Sequence, residues 1–126
     1  MKALLDTSVV IAAAVGDLPD EAAISVATLA ELHFGVHLGK TEEIRRLRLR
    51  RLAEIEALFD PLPVDAAVAR TYGELASIVR SHGRKARSRV MDLLVAATAV
   101  TWSVPLYTRN LRDFDGLGDV LEVREA

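Results

Sequence analysis

Apolar residues in this chain fall into short runs that alternate with longer stretches of helical spacing. Lys2 to Leu5 reads as a short buried strand. Val9 to Val15 reads as a helix that Gly16-Asp17-Leu18-Pro19 ends, with Thr7 or Ser8 placed to cap it. Ala23 to Val26 is a second strand candidate, entering a helix that runs from Ala27 to about Leu38 and stops at Gly39. Thr41 caps a long helix, Glu42 to Phe59, in which Ile44, Leu47, Leu52, Ile55, Leu58 and Phe59 keep helical periodicity.

Asp60-Pro61-Leu62-Pro63 breaks that helix and leads into Leu62 to Val64, a short strand limited by its prolines. Asp65 caps the next helix, Ala66 to about Ser81, with Val68, Tyr72, Leu75 and Val79 inward. Gly83 to Ser88 is a basic loop, and Val90 to Ser103 a helix apolar enough to be buried on several sides. Val104 to Thr108 is a strand, and Val120 to Val123 a last one at an edge. Strands alternate with helices and no hairpin signal intervenes, so the pattern predicts a parallel α/β sandwich. With no linker, low-complexity tract or internal repeat, one domain over residues 1–126 is expected.

Composition narrows the classes. At 51% hydrophobic residues the chain can bury a substantial core. The absence of cysteine excludes disulfides, thiolate zinc sites and a cysteine nucleophile. The first residues loosely imitate a signal peptide, but Asp6 interrupts the apolar stretch and the run beyond it is too short for a cleavable one. Leu93 to Val104, the longest other apolar run, contains Thr98, Thr101 and Ser103 and falls short of the roughly 20 residues that span a bilayer. A soluble, cytoplasmic protein without membrane contact is expected. Net charge is only −2, yet Arg45, Arg46, Arg48, Arg50 and Arg51 crowd one segment, and Arg80, Arg84, Lys85, Arg87 and Arg89 another. Local basic patches beside acidic junctions suit a polyanion held over a metal site.

The acids carry the chemistry. Asp6 follows the first strand; Glu31 stands in Thr28-Leu-Ala-Glu-Leu; Asp92 opens Asp92-Leu-Leu-Val-Ala-Ala-Thr-Ala; Asp113 lies in Thr108-Arg-Asn-Leu-Arg-Asp-Phe. In an open α/β sheet, ligands bind outside the carboxyl ends of the strands, where acids from these four segments would converge. Such a cluster repels itself unless cations neutralise it. Carboxylates without cysteine or metal-type histidine spacing favour Mg²⁺ or Mn²⁺ over Zn²⁺, and so a metal-dependent hydrolase.

Each acid also has an ordinary explanation. Asp6 and Asp92 suit helix N-termini, Glu31 has capping-box spacing from Thr28, and Asp113 suits a turn. Thr7, Ser8, Thr108 and Asn110 are candidates to hydrogen-bond and orient the acids. Arg84, Lys85, Arg87 and Arg89, with Arg109 and Arg112, are candidates to grip RNA phosphates; the arginines of the 42–59 helix read as a solvated face. His33 and His37 stand four apart, but Phe34 occupies the place of a glutamate in a His-Glu-x-x-His site, so they read as surface histidines. Trp102 and Phe114 read as core.

The motifs together resemble the PIN-domain nucleases, and among them the VapC toxins of VapBC toxin–antitoxin pairs. Leu4-Leu-Asp-Thr-Ser is similar to the family's opening strand and first acid, and the Glu31, Asp92 and Asp113 segments to its second, third and fourth motifs. The resemblance runs in order over essentially the whole chain. It implies a PIN-like three-layer sandwich with a central, mainly parallel sheet. It also implies an acidic quartet of Asp6, Glu31, Asp92 and Asp113 around Mg²⁺ or Mn²⁺. The implied reaction is endonucleolytic cleavage of tRNA or ribosomal RNA that leaves a 5′-phosphate and a 3′-hydroxyl and inhibits translation. A homodimer and a VapB-type antitoxin that blocks the site are implied as partners. The stretch from Asp6 to Glu31 is shorter than is common in the family, and Asp115 competes with Asp113 as the fourth acid.

Two rival functions compete with this one. A phosphoacceptor domain using Asp6 as nucleophile would want a second aspartate where Ser8 stands, or an acidic pair near the first strand. A catalytically silent PIN-like interaction module would be expected to have lost one or more motif acids, and all four are present.

Overall fold

Adjacent residues of a strand point to opposite faces of their sheet, and on β1 (Ala3–Leu5) both faces are buried by different partners. In the computed structural model, which describes residues 1–126, Leu4 joins one buried cluster and Leu5 another. The larger cluster packs Val68, Leu75 and Val79 of α4 (Ala66–Ser81) and Leu93 and Val95 of α5 (Val90–Thr101) against one side. The smaller joins Leu5 to Val10 of α1 (Thr7–Ala12) and Ile55 of α3 (Glu42–Leu58). Between them, α2 (Val26–His37) contributes Ala27 to the first and Leu32 to the second. Helices thus cover both faces of the sheet, the three-layer α/β arrangement expected.

The sheet holds β2 (Ala22–Ala23), β1, β3 (Leu106–Thr108) and β4 (Val123–Glu125) in the order β2-β1-β3-β4, every pair parallel. From β1 the chain passes to β2 on one side and later returns to β3 on the other. The β1/β3 border is therefore the point where strand order reverses, and a crevice opens outside the strand ends there. Asp6 directly follows β1 and Thr108 ends β3, so both sit at that crevice.

Local chemistry explains where the elements depart from expectation. The Ala23–Val26 strand shrinks to Ala22–Ala23 because Ser25 caps α2, its Oγ accepting from the Ala27 N–H at 3.0 Å. Pro61 and Pro63 lack N–H donors, so the expected Leu62–Val64 strand is one parallel bridge between Ser25 and Leu62. The first helix starts earlier, at Thr7 with Asp6 in the N-cap position, and ends at Ala12 before a 3₁₀ turn at Val15–Asp17. The basic loop closes in a 3₁₀ turn, Ala86–Arg89, and the last strand lies at Val123–Glu125 rather than Val120–Val123. Thr41 and Asp65 cap α3 and α4 as expected.

On α3 only part of the apolar stripe is used: Leu52 and Ile55 are buried, whereas Leu47 and Leu58 are more than half exposed. Trp102, expected in the core, is 47% exposed at the end of α5, while Phe114 is buried. No helix is long and apolar enough to cross a membrane.

Candidate active site

Asp6 is only 3% exposed, and its surroundings show how the chain tolerates a charge there. Although it occupies the N-cap position of α1, its carboxylate caps nothing. Its Oδ2 instead accepts from Ser8 Oγ at 2.7 Å and Thr108 Oγ1 at 2.8 Å. Each hydroxyl also accepts a backbone N–H: Arg109 donates to Ser8 Oγ at 3.0 Å and Asn110 to Thr108 Oγ1 at 3.0 Å. A hydroxyl has a single proton, so those backbone donors turn both protons toward Asp6. The other carboxylate oxygen, Oδ1, has no partner within the chain, and no fully buried side-chain oxygen is left unpaired. Oδ1 therefore keeps the residue's small exposed area and is free for a cation.

Glu31 is held by the same segment. Thr7 Oγ1 donates to Glu31 Oε1 at 2.6 Å and lies 3.1 Å from Thr28 Oγ1. The capping-box explanation of Glu31 fails, because Ser25 is the cap and Thr28 is a buried residue inside α2. Glu31 accordingly stands in the second turn of α2 rather than at a strand–helix junction. Its carboxyl is raised above the ordinary value by burial, opposed by the Thr7 hydrogen bond and reinforced by repulsion from Asp6.

Asp92 lies in the first turn of α5, whose N-cap residue Arg89 makes no side-chain cap. Burial, then repulsion from Asp113, Asp6 and Glu31, pushes its carboxyl from 3.8 up to about 6, against the pull of Arg89. The four acids are thus within electrostatic reach of one another, although they come from β1's end, α2, α5 and the 3₁₀ turn Leu111–Phe114. Asp113 is the acid of the fourth motif that Asp92 feels; Asp115 is exposed and faces Arg84 at 4.0 Å.

Of the four residues expected to orient the acids, three bond a carboxylate and one does not. Thr7, Ser8 and Thr108 act through their hydroxyls, but Asn110 acts only through its backbone, donating to Thr108 Oγ1 and accepting from the Asp113 N–H at 3.0 Å. The basic candidates divide. Arg84 donates to the carbonyls of Arg112 and Asp115, and Arg89 pairs with Asp113 Oδ1 at 3.2 Å. Both therefore hold the turn that bears Asp113. Lys85, Arg87, Arg109 and Arg112 are exposed, and their side chains have no partner in the chain.

Of the five arginines of α3, Arg46 and Arg50 are exposed without a partner, as a solvated face would have them, but the other three reach backbone carbonyls. Arg45 donates to Gly39 O, Arg48 to Gly35 O, and Arg51 to both Val10 O and Ala13 O. Spacing holds a signal: Arg48 and Arg51 stand four residues before the buried Leu52 and Ile55, on the same helix face. His33 is an exposed residue paired with Glu56 at 3.4 Å.

As the side chains stand, no three Asp, Glu or His groups are gathered at one ligation point. That geometry still suits Mg²⁺, which keeps several waters and needs only one or two direct carboxylates. The donor set is all oxygen, the Glu31 and Asp92 carboxyls are raised by burial and by neighbouring acids, and Asp6 Oδ1 is open, so the residues fit a hard divalent cation.

A PIN domain model matches residues 3–118. The ribonuclease VapC5 of Mycobacterium tuberculosis is 38% identical over 126 residues, covering 95% of this chain and 90% of that protein. A ribonuclease VapC of Rickettsia bellii is 32% identical, with 90% and 89% covered. Among solved structures, a chain of VapBC-5, a member of the VapBC family of toxin–antitoxin systems from Mycobacterium tuberculosis, matches with a TM-score of 0.79 at 36% identity, covering 99% of this chain and 98% of that one. A chain of FitAcB from Neisseria gonorrhoeae matches with a TM-score of 0.77 at 30% identity, covering 96% and 95%.

Proposed function

The chain belongs to the PIN-domain family, among the VapC ribonuclease toxins, and we propose that its residues 1–126 form one nuclease domain in which Asp6, Glu31, Asp92 and Asp113 hold Mg²⁺ or Mn²⁺ for RNA hydrolysis. The observation that carries this reading is that Asp92, lifted to about 6 first by burial, also feels the repulsion of Asp113, Asp6 and Glu31, so the four acids stand close together. A carboxyl raised by burial and repulsion costs stability when ionised, and such carboxyls cluster at functional sites. When bound, the cation would neutralise charge on the phosphodiester and make water a better nucleophile.

The chain's own residues do the rest. Ser8 and Thr108 aim Asp6 by holding Oδ2, and Thr7 aims Glu31. Arg89 fixes Asp113, which can receive a proton from the attacking water or orient it. Exposed Lys85, Arg87, Arg109 and Arg112 flank this edge and supply phosphate contacts for a structured RNA such as tRNA or ribosomal RNA. Cleavage in the cytoplasm would inhibit translation.

A homodimer and a VapB-type antitoxin are the proposed partners. Supporting this, a cavity of about 370 Å³ between α2 and α3 has Glu31 in its wall, and exposed Ile11, Phe34, Leu38, Leu47 and Leu58 leave apolar surface for a protein partner. The similar VapBC-5 structure is of a toxin–antitoxin system.

The test is antitoxin-free protein with end-labelled tRNA and ribosomal RNA, in Mg²⁺ or Mn²⁺ and in chelator. Metal-dependent cuts with 5′-phosphate ends are expected. Intact RNA in the presence of well-folded protein would turn the reading toward a silent interaction module.

A further inference from the structure

We propose that Arg51 is a positioning residue for the carboxylate site, acting through α1; this rests on the reading that Asp6 and Glu31 hold a cation. Helix α1 has six residues, too few to be stable by itself. Yet its first turn carries the groups that aim both acids: Thr7 bonds Glu31, and Ser8 bonds the adjoining Asp6. The direction of this short element therefore sets the site. Its start is fixed by Asp6, whose N–H donates to Tyr107 O at 2.9 Å on β3. Its end needs a second anchor, because the last carbonyls of a helix have no intrahelical donors.

Arg51 supplies that anchor from α3. Its guanidinium donates to Val10 O in the last turn and to Ala13 O just beyond it. A planar fork suits two carbonyls at once, and a cation at the carboxyl end complements the helix dipole. Arg51 is half-buried and lines the same cavity as Glu31, but it forms no ion pair with any acid and is absent from the causes of the Glu31 and Asp92 shifts. Its influence on the acids must pass through α1. Arg48, one turn earlier in the same cavity, donates instead to Gly35 O on α2 at 2.8 Å. It is the matched control, with no hydrogen bond to α1.

The experiment compares Arg51→Met, Arg51→Lys and Arg48→Met, with methionine retaining the apolar stem. Two readouts are taken: Mn²⁺ affinity by titration, and amide exchange in metal-free protein at Val9 and Val10, which donate to Asp6 O. Arg51→Met should weaken Mn²⁺ binding about tenfold and Arg51→Lys about threefold, as for other residues that orient ligands. Exchange at Val9 and Val10 should quicken in both, while Arg48→Met leaves both readouts at the wild-type value. Wild-type affinity and protection in Arg51→Met would overturn the proposal, as would an equal loss in Arg48→Met. Should Arg51→Met not fold, unchanged Mn²⁺ affinity in Arg51→Lys overturns it. If the wild-type chain took up no Mn²⁺, the metal reading would fail, while faster exchange confined to the Arg51 variants would still support the anchoring of α1.

Discussion

Asp92 shows most plainly what the site costs the fold. Its carboxyl has an ordinary value of 3.8 and is pushed up to about 6. Between those values the folded chain binds a proton that the unfolded chain has released, so stability falls as pH rises through that window. Above it the full penalty is present. Asp92→Asn should therefore raise the unfolding free energy of metal-free protein in urea at pH 7, by about 1 kcal/mol once solvent screening of this half-buried group is allowed for. Below pH about 3, where both states are protonated, the gain should vanish. Because a cation needs the ionised carboxylate, Mn²⁺ affinity should rise with pH through this same region. Thr7→Val removes the only contact that lowers the Glu31 carboxyl. It should weaken Mn²⁺ binding about tenfold by titration.

The helices divide the work between holding the core and presenting the acids. Ser25 belongs to both tasks, since its buried Oγ caps α2 and accepts from Thr98 Oγ1 of α5 at 3.2 Å. Ser25→Ala should cost about 1–2 kcal/mol in urea unfolding, through a lost cap and a Thr98 hydroxyl left with one partner fewer. Helices with strong local signals are legible in the sequence: Thr41 and Asp65 announce their caps, and the apolar run after Asp92 announces a buried helix. Strand limits are not. A two-residue strand such as β2 has no periodicity to read, and only tertiary pairing with β1 defines it. The same holds for the arginines of α3. Their number suggests solvent, and only the packing of α3 beside α1 and α2 reveals the backbone carbonyls that Arg45, Arg48 and Arg51 reach.

Across the molecule, the order of strands rather than any single motif makes the site. Asp6 and Thr108 are 102 residues apart, and they meet because β1 and β3 are neighbours at the reversal of strand order. The sequence can name the four acids and three of the orienting hydroxyls, since each sits beside a recognisable element. It cannot say that Arg84 and Arg89 face inward to the turn of Asp113, because pairing between loops leaves no periodic trace. A protein that gathers repelling charges is stabilised by what neutralises them: at a hundredfold excess over its Kd, a bound ion adds about 2.7 kcal/mol. Mn²⁺ should raise the melting temperature of the wild-type chain and leave that of Asp92→Asn nearly unmoved.

Single-turnover cleavage of an end-labelled RNA, monitored across a Mg²⁺ titration, joins the acids to the reaction. The wild-type rate should rise with Mg²⁺ and vanish in chelator. Asp6→Asn, Glu31→Gln, Asp92→Asn and Asp113→Asn should each lower it by about a hundredfold or more. Cleavage that persists in chelator, or at the wild-type rate in Asp6→Asn and Asp92→Asn, would contradict a metal-dependent carboxylate site at the β1/β3 crevice.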